Sequence, residues 1–137
     1  MKKVYPVIFT QTKDCVLVEV PDLGILTEGA DMVNAIDMAR DAIGLHGITM
    51  EDAGEEITEA SRIETINPEE GEFAQDGVSF VSMVDIDFLQ YRRKIDNKTV
   101  RRNVTLPNWL NLEAEAAHIN VSKVLQDALM AKLNVAR

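Results

Sequence analysis

Short apolar runs punctuated by turn residues fill the first 27 positions. Val4-Tyr5-Pro6-Val7-Ile8-Phe9 is the first run, and Pro6 within it has no amide proton, which predicts an edge position or a local irregularity. Gln11-Thr12-Lys13-Asp14 reads as a turn and Cys15 to Val20 as the returning strand. Pro21-Asp22-Leu23-Gly24 is a second turn before a third strand at Ile25-Leu26-Thr27, so an antiparallel meander is expected. The period then changes to that of a helix. Asp31 is placed to cap it, Met32, Ile36, Ala39 and Ile43 form its apolar stripe, Asp37, Arg40 and Asp41 lie off the stripe, and Gly44 and Gly47 are expected to end it. Two acidic loops follow, Glu51 to Glu56 and Glu69 to Glu72. Between Gly77 and Asp85, Val78, Phe80 and Val84 face one way and Val81 and Met83 the other, which predicts a strand inside the sheet. Asp87 can cap a short helix through Leu89 and Tyr91.

From Thr99 the pattern changes again. Thr99 to Leu106 reads as a strand stopped by Pro107, with Arg101, Asn103 and Thr105 on one face and Arg102, Val104 and Leu106 on the other. Leu110, Ala114 and Ala117 line a first helix, with Leu112 and Ala116 beside them. Val121, Val124, Leu125, Ala128 and Leu129 line a second, with Asn120 as its N-cap. One strand and two helices cannot close a core alone, so an intertwined dimer is expected. The segment resembles a ribbon-helix-helix DNA-binding domain. A guanidinium, an amide and a hydroxyl in a row can read base edges in a major groove, which admits a two-stranded ribbon. The start of the second helix, with the amides of Val121 and Ser122 and the Asn120 cap, suits a phosphate, and Lys98 adds a cation. Trp109 is expected to serve core or dimer packing.

Charge separates the two parts. Residues 1–90 hold 5 Lys/Arg against 19 Asp/Glu, a net of −14, whereas residues 91–137 hold 9 against 4, a net of +5. Arg92, Arg93, Lys94, Lys98, Arg101 and Arg102 fall within eleven positions. The asymmetry suggests one basic and one anionic partner. No stretch is apolar enough to span a membrane, residues 1–20 lack the pattern of a secretory signal, and the single cysteine, Cys15, is expected to be a buried, inert thiol suited to a reducing cytosol. A cytoplasmic protein is therefore expected.

In order and spacing the chain resembles the HicB-like antitoxins of toxin–antitoxin pairs. The likeness is carried by Tyr5-Pro6-Val7-Ile8-Phe9, Pro21-Asp22-Leu23, the helix from Asp31 to Ala42, Glu56 to Ser61, Asp85 to Tyr91, and Lys98 to Pro107, and it spans essentially the whole chain. Two departures stand out: Leu-Gly-Ile follows Asp22 where many members carry Leu-Pro-Gly-Cys, and the acidic segment lacks the usual prolines. The resemblance implies an α+β protein: a partial ribonuclease-H-like β-β-β-α-β domain over residues 1–90, a basic linker at 91–98, and a ribbon-helix-helix domain over 99–137 that forms an intertwined homodimer or a higher even-numbered assembly. It implies a partner similar to HicA, a small basic toxin that cleaves mRNA through a histidine on a double-stranded-RNA-binding-like fold, and repression of the antitoxin's own operon. The toxin contacts are expected within residues 1–90. The alternative is a ribbon-helix-helix repressor whose N-terminal domain senses a small ligand.

Enzymatic readings have thin support. Ribonuclease-H chemistry needs clustered carboxylates holding two divalent metals. Asp14, Glu19, Asp22, Asp37 and Asp41 fall mostly at turns or on a solvated helix face, so no metal, cofactor or catalytic set is expected. His46 and His118 sit near expected helix ends, where a histidine commonly caps carbonyls.

Overall fold

The computed structural model describes residues 1–135; the last two residues of the expected 99–137 domain lie outside the described residues. The chain divides into two compact units, Met1–Lys98 and Thr99–Arg137.

In the first unit, β1 (Lys2–Gln11), β2 (Val16–Val20), β3 (Ile25–Gly29) and β4 (Val78–Asp87) form one antiparallel sheet in the order β3-β2-β1-β4. The helix α1 (Met32–Asp52) follows β3, which gives the β-β-β-α-β succession. Alternation puts Tyr5, Val7 and Phe9 of β1 on the same face as Val16, Val18 and Val20 of β2 and Val84 and Ile86 of β4. These residues are buried with Ala35, Ala39 and Ile43 of α1. Small residues on the helix stripe let it lie close to the sheet. On the opposite face Ile8 and Thr10 are buried as well. Thr10 shares a hydrogen bond with its cross-strand neighbour Ser79, oxygen to oxygen 2.7 Å.

Pro6 is fully buried yet tolerated, because β2 joins β1 only from Ile8 onward. At Pro6 the strand is locally an edge on the β2 side. Asp31 caps α1 as its position suggested, accepting a 2.8 Å bond from the Asn34 amide.

Among the expectations for the first unit, three that concern its helices and β4 need correction. Gly44 and Gly47 do not end α1, which continues to Asp52. They lie in its interior beneath the rings of Tyr91 and Phe88 from α2 (Phe88–Ile95). A methyl on Gly44 would stand 2.7 Å from the Tyr91 ring, and one on Gly47 would overlap the Phe88 ring. Their absent side chains admit the second helix rather than break the first. Consequently His46 is a half-buried mid-helix residue, not a cap. Second, β4 is an edge strand, not an interior one. Its apolar residues on both faces reflect α1 on one side and the chain 62–76 on the other, where the Glu72 amide donates to Glu19 Oε1 at 2.9 Å. Third, the stretch expected as a linker at 91–98 is helical through Ile95.

In the second unit, α3 (Asn108–Ala116) and α4 (Val121–Leu133) are joined by a tight turn. Residues 99–107 carry no strand. A strand is defined by hydrogen bonds to a neighbour, and a single copy of this segment offers none. Among the described residues, no helix is long and apolar enough to cross a membrane.

Candidate nucleic-acid and partner interfaces

Arg101, Asn103 and Thr105 are all exposed, on the approach to α3 that is neither helix nor strand. Lys98 is exposed at the end of the first unit, its amide turned onto Asp96 Oδ1 at 3.0 Å. Asn120 is the N-cap of α4 and accepts from the Lys123 amide at 3.1 Å, so the amides of Val121 and Ser122 remain at the helix start. These two amides belong to the first turn, where no intrahelical carbonyl is available to them.

The two helices of this unit end alike. His118 and Asn134 adopt left-handed φ of 55° and 61°, and the following residues, Ile119 and Val135, donate back to Ala114 and Met130. That six-residue closure satisfies the last carbonyls. His118 therefore shapes a helix end through its backbone rather than by capping carbonyls with its side chain.

No residue from Thr99 to Val135 is buried. Trp109 is 63% exposed, Val124 56% and Leu129 51%, and Val104, Leu106, Leu110 and Leu125 are exposed too. These are the residues of the expected core stripes, and they cover one another incompletely.

The first unit holds its carboxylates apart. Asp22 accepts from the Ser61 amide at 2.8 Å and from its hydroxyl at 2.5 Å. Together with Tyr5 Oη on the Thr58 carbonyl (2.7 Å) and Lys3 Nζ on Glu59 (2.9 Å), it straps residues 58–61 to the sheet. Burial pushes the Tyr5 phenol up, and Glu59 holds the Lys3 ammonium up. Nothing in the spacing of Asp22 and Ser61, 39 positions apart, announced that pair. Glu19 is engaged with the Glu72 amide and Asp41 with Tyr91 Oη, while Asp37 lies beside Arg40. Among the described residues, no three His, Cys, Asp or Glu side chains gather as a metal site would require. Cys15 is half-buried at the β1–β2 turn rather than within a strand, its Sγ 3.5 Å from Glu28 Oε2.

The basic run is partly spent inside the protein. Arg92 Nη2 lies 2.9 Å from Asp52 Oδ1, near Glu51 and Asp96, and these carboxylates hold its guanidinium pKa up. Asp87 caps α2, accepting from the Leu89 and Gln90 amides, and the Gln90 bond foremost holds its carboxyl below the usual range. An open cleft of about 770 Å³ beside the Arg92–Asp52 pair is lined by Ile48, Asp52, Arg92, Ile95 and the chain to Lys98. Its polar floor is the Arg92–Asp52 ion pair, already satisfied. With the boundary at Lys98, the first unit carries a net −11 and the second +2.

The fold has solved relatives. A chain from a toxin–antitoxin complex of Streptococcus pneumoniae superposes with a TM-score of 0.59 at 23% identity, covering 96% of this chain and 99% of the other. The antitoxin HicB of Burkholderia pseudomallei gives a TM-score of 0.51 at 24% identity, covering 96% of each. Among curated proteins, none matches. Residues 5–133 match the family described as the HicB_like antitoxin of bacterial toxin–antitoxin systems. That match takes in both units, and the chain belongs to the HicB-like antitoxin family.

Proposed function

We propose that the chain masks a small basic HicA-like mRNA-cleaving toxin with its first unit and represses its own operon through the second. The first unit is then a non-enzymatic, partial ribonuclease-H-like frame whose carboxylates serve structure and charge. Complementary charge would speed encounter with a basic toxin. The observation that carries the reading is the bare apolar surface of residues 99–135 in a family of antitoxins. Such a surface is stable in water only when covered. A second copy covers it if the two 99–106 segments pair as an antiparallel ribbon and the helices interlock, a homodimer or higher even-numbered assembly. The ribbon then offers Arg101, Asn103 and Thr105 to base edges in operator DNA, and the starts of the two α4 helices, with Asn120, Val121, Ser122 and Lys98, to phosphates.

Electrophoretic shifts on the promoter of the gene and on scrambled DNA test this. Asn103→Ala should cost about 1–3 kcal/mol per symmetric contact and relax base preference at particular positions. Lys98→Ala should weaken binding on all sequences and flatten its salt dependence. Both variants should still rescue growth of cells expressing the toxin. Unchanged operator preference in Asn103→Ala would remove the ribbon as the reading element.

A further inference from the structure

The outer edge of β4 is the longer of the two sheet edges, ten residues against five in β3. Its ten pairs with β1 run in unbroken register, without a bulge, and the strand contains no proline or lysine. Those are the devices that usually blunt an edge. The phase of its hydrogen bonds follows from one end. The Phe88 amide donates to the Met1 carbonyl at 3.0 Å, so even-numbered residues of β4 bond to β1 and odd-numbered ones face outward. Arg40 agrees, its Nε reaching the outward carbonyl of Asp85 at 3.0 Å and closing that end. Ser79, Val81 and Met83 are left with outward backbone groups that no strand among the described residues takes up. Beside them Val78, Phe80 and Met83 are 75%, 42% and 43% exposed.

The surroundings select the occupant. The 3₁₀ turns Ile63–Thr65 and Pro68–Glu70 pack against β4, the second brings Glu69 and Glu70, both exposed, and Glu72 and Asp76 follow on the way into the strand. The cations of the flanking elements are engaged: Arg62 with Glu64, and Arg40 with Asp37 and Asp85. A second copy would bring one acidic rim against another. We infer that the Ser79–Met83 edge of β4 accepts a strand of a basic polypeptide, extending the sheet, with backbone bonds supplying affinity and the acidic rim orienting the partner. The inference rests on the antitoxin reading and names where its toxin would dock.

The test uses the full chain and the HicA-like toxin proposed for it, inactivated at its histidine. Hydrogen exchange resolved by residue should show the Val81 and Met83 amides exchanging fast in the free chain and about tenfold or more slowly in the complex. Met83→Pro removes an outward amide without touching the β1 ladder, and should weaken binding about tenfold or more, whereas Leu26→Lys on the β3 edge should not. If the wild-type chain ignores this protein, the antitoxin reading fails and the docking edge with it. If it binds while Val81 and Met83 stay unprotected, or Met83→Pro binds as wild type, the edge is overturned and the antitoxin reading stands. Protection of these amides in the free chain that grows with concentration would assign the edge to a second copy and overturn the basic partner.

Discussion

At the residue scale, glycine marks close approach here rather than a helix end. Gly44 and Gly47 cost α1 roughly 1 kcal/mol each relative to alanine, in an exposed helix. Here that cost is offset by the seating of Tyr91 and Phe88 on bare backbone. Phe88 is 2% exposed and cannot swing aside, so overpacking outweighs the propensity gained. Gly47→Ala should therefore lower unfolding free energy by about 1–2 kcal/mol, within the range for overpacked cores. A denaturant titration checks it, and a neutral or stabilising result would mean the Phe88 ring has room to move. Asp22 teaches a related lesson. As a carboxylate near a turn it resembles a metal ligand in sequence, yet both its oxygens are taken by Ser61.

At the scale of elements, α2 is latched to α1 by the Phe88 and Tyr91 rings, the Tyr91–Asp41 hydrogen bond at 2.8 Å and the Arg92–Asp52 pair. Burial first, and then the bond to Asp41, push the Tyr91 phenol up from 10.0 to about 12. The neutral phenol is the form the fold prefers. Its contribution is thus fully present below pH 10 and is lost as pH rises toward 12. Tyr91→Phe should be less stable at neutral pH and lose less stability across that alkaline interval. Circular-dichroism melts of both proteins at pH 9 and near pH 12 compare the slopes; parallel curves would take the latch away from this hydroxyl. Because α2 and the chain to Lys98 belong to the first unit, four of the six cations in the basic run that the sequence attaches to DNA binding lie on the acidic side of the boundary.

For the whole molecule, the two units differ in how their apolar residues are covered. Residues 1–98 bury their own core between sheet, helix and strap, whereas residues 99–135 bury nothing fully. The 1–98 fragment should fold and run as a monomer in light scattering coupled to gel filtration. The full chain should show an even multiple of the chain mass, with melting of the second unit dependent on concentration. A monomeric full chain with intact α3 and α4 would contradict the interlocked assembly.

Elements whose signals are local can be read directly from the chain. The β-β-β-α-β order, the Asp31, Asp87 and Asn120 caps and the stripes of α3 and α4 follow from alternation, helical period and side chains that reach the nearest amide. Family membership was also legible, since it lies in the order of motifs along the whole chain. Three features depend instead on packing between distant parts of the chain. A glycine reads as a stop until a ring is seen above it, which is why α1 runs past Gly44 and Gly47. A strand apolar on both faces reads as central, because alternation reports what lies above and below a strand but not what lies beside it. The edge position of β4, and with it the docking edge inferred above, comes from sheet order. Finally, Asp22 and Ser61 meet only because chain 53–76 passes around one end of the sheet, a long-range closure that no spacing encodes.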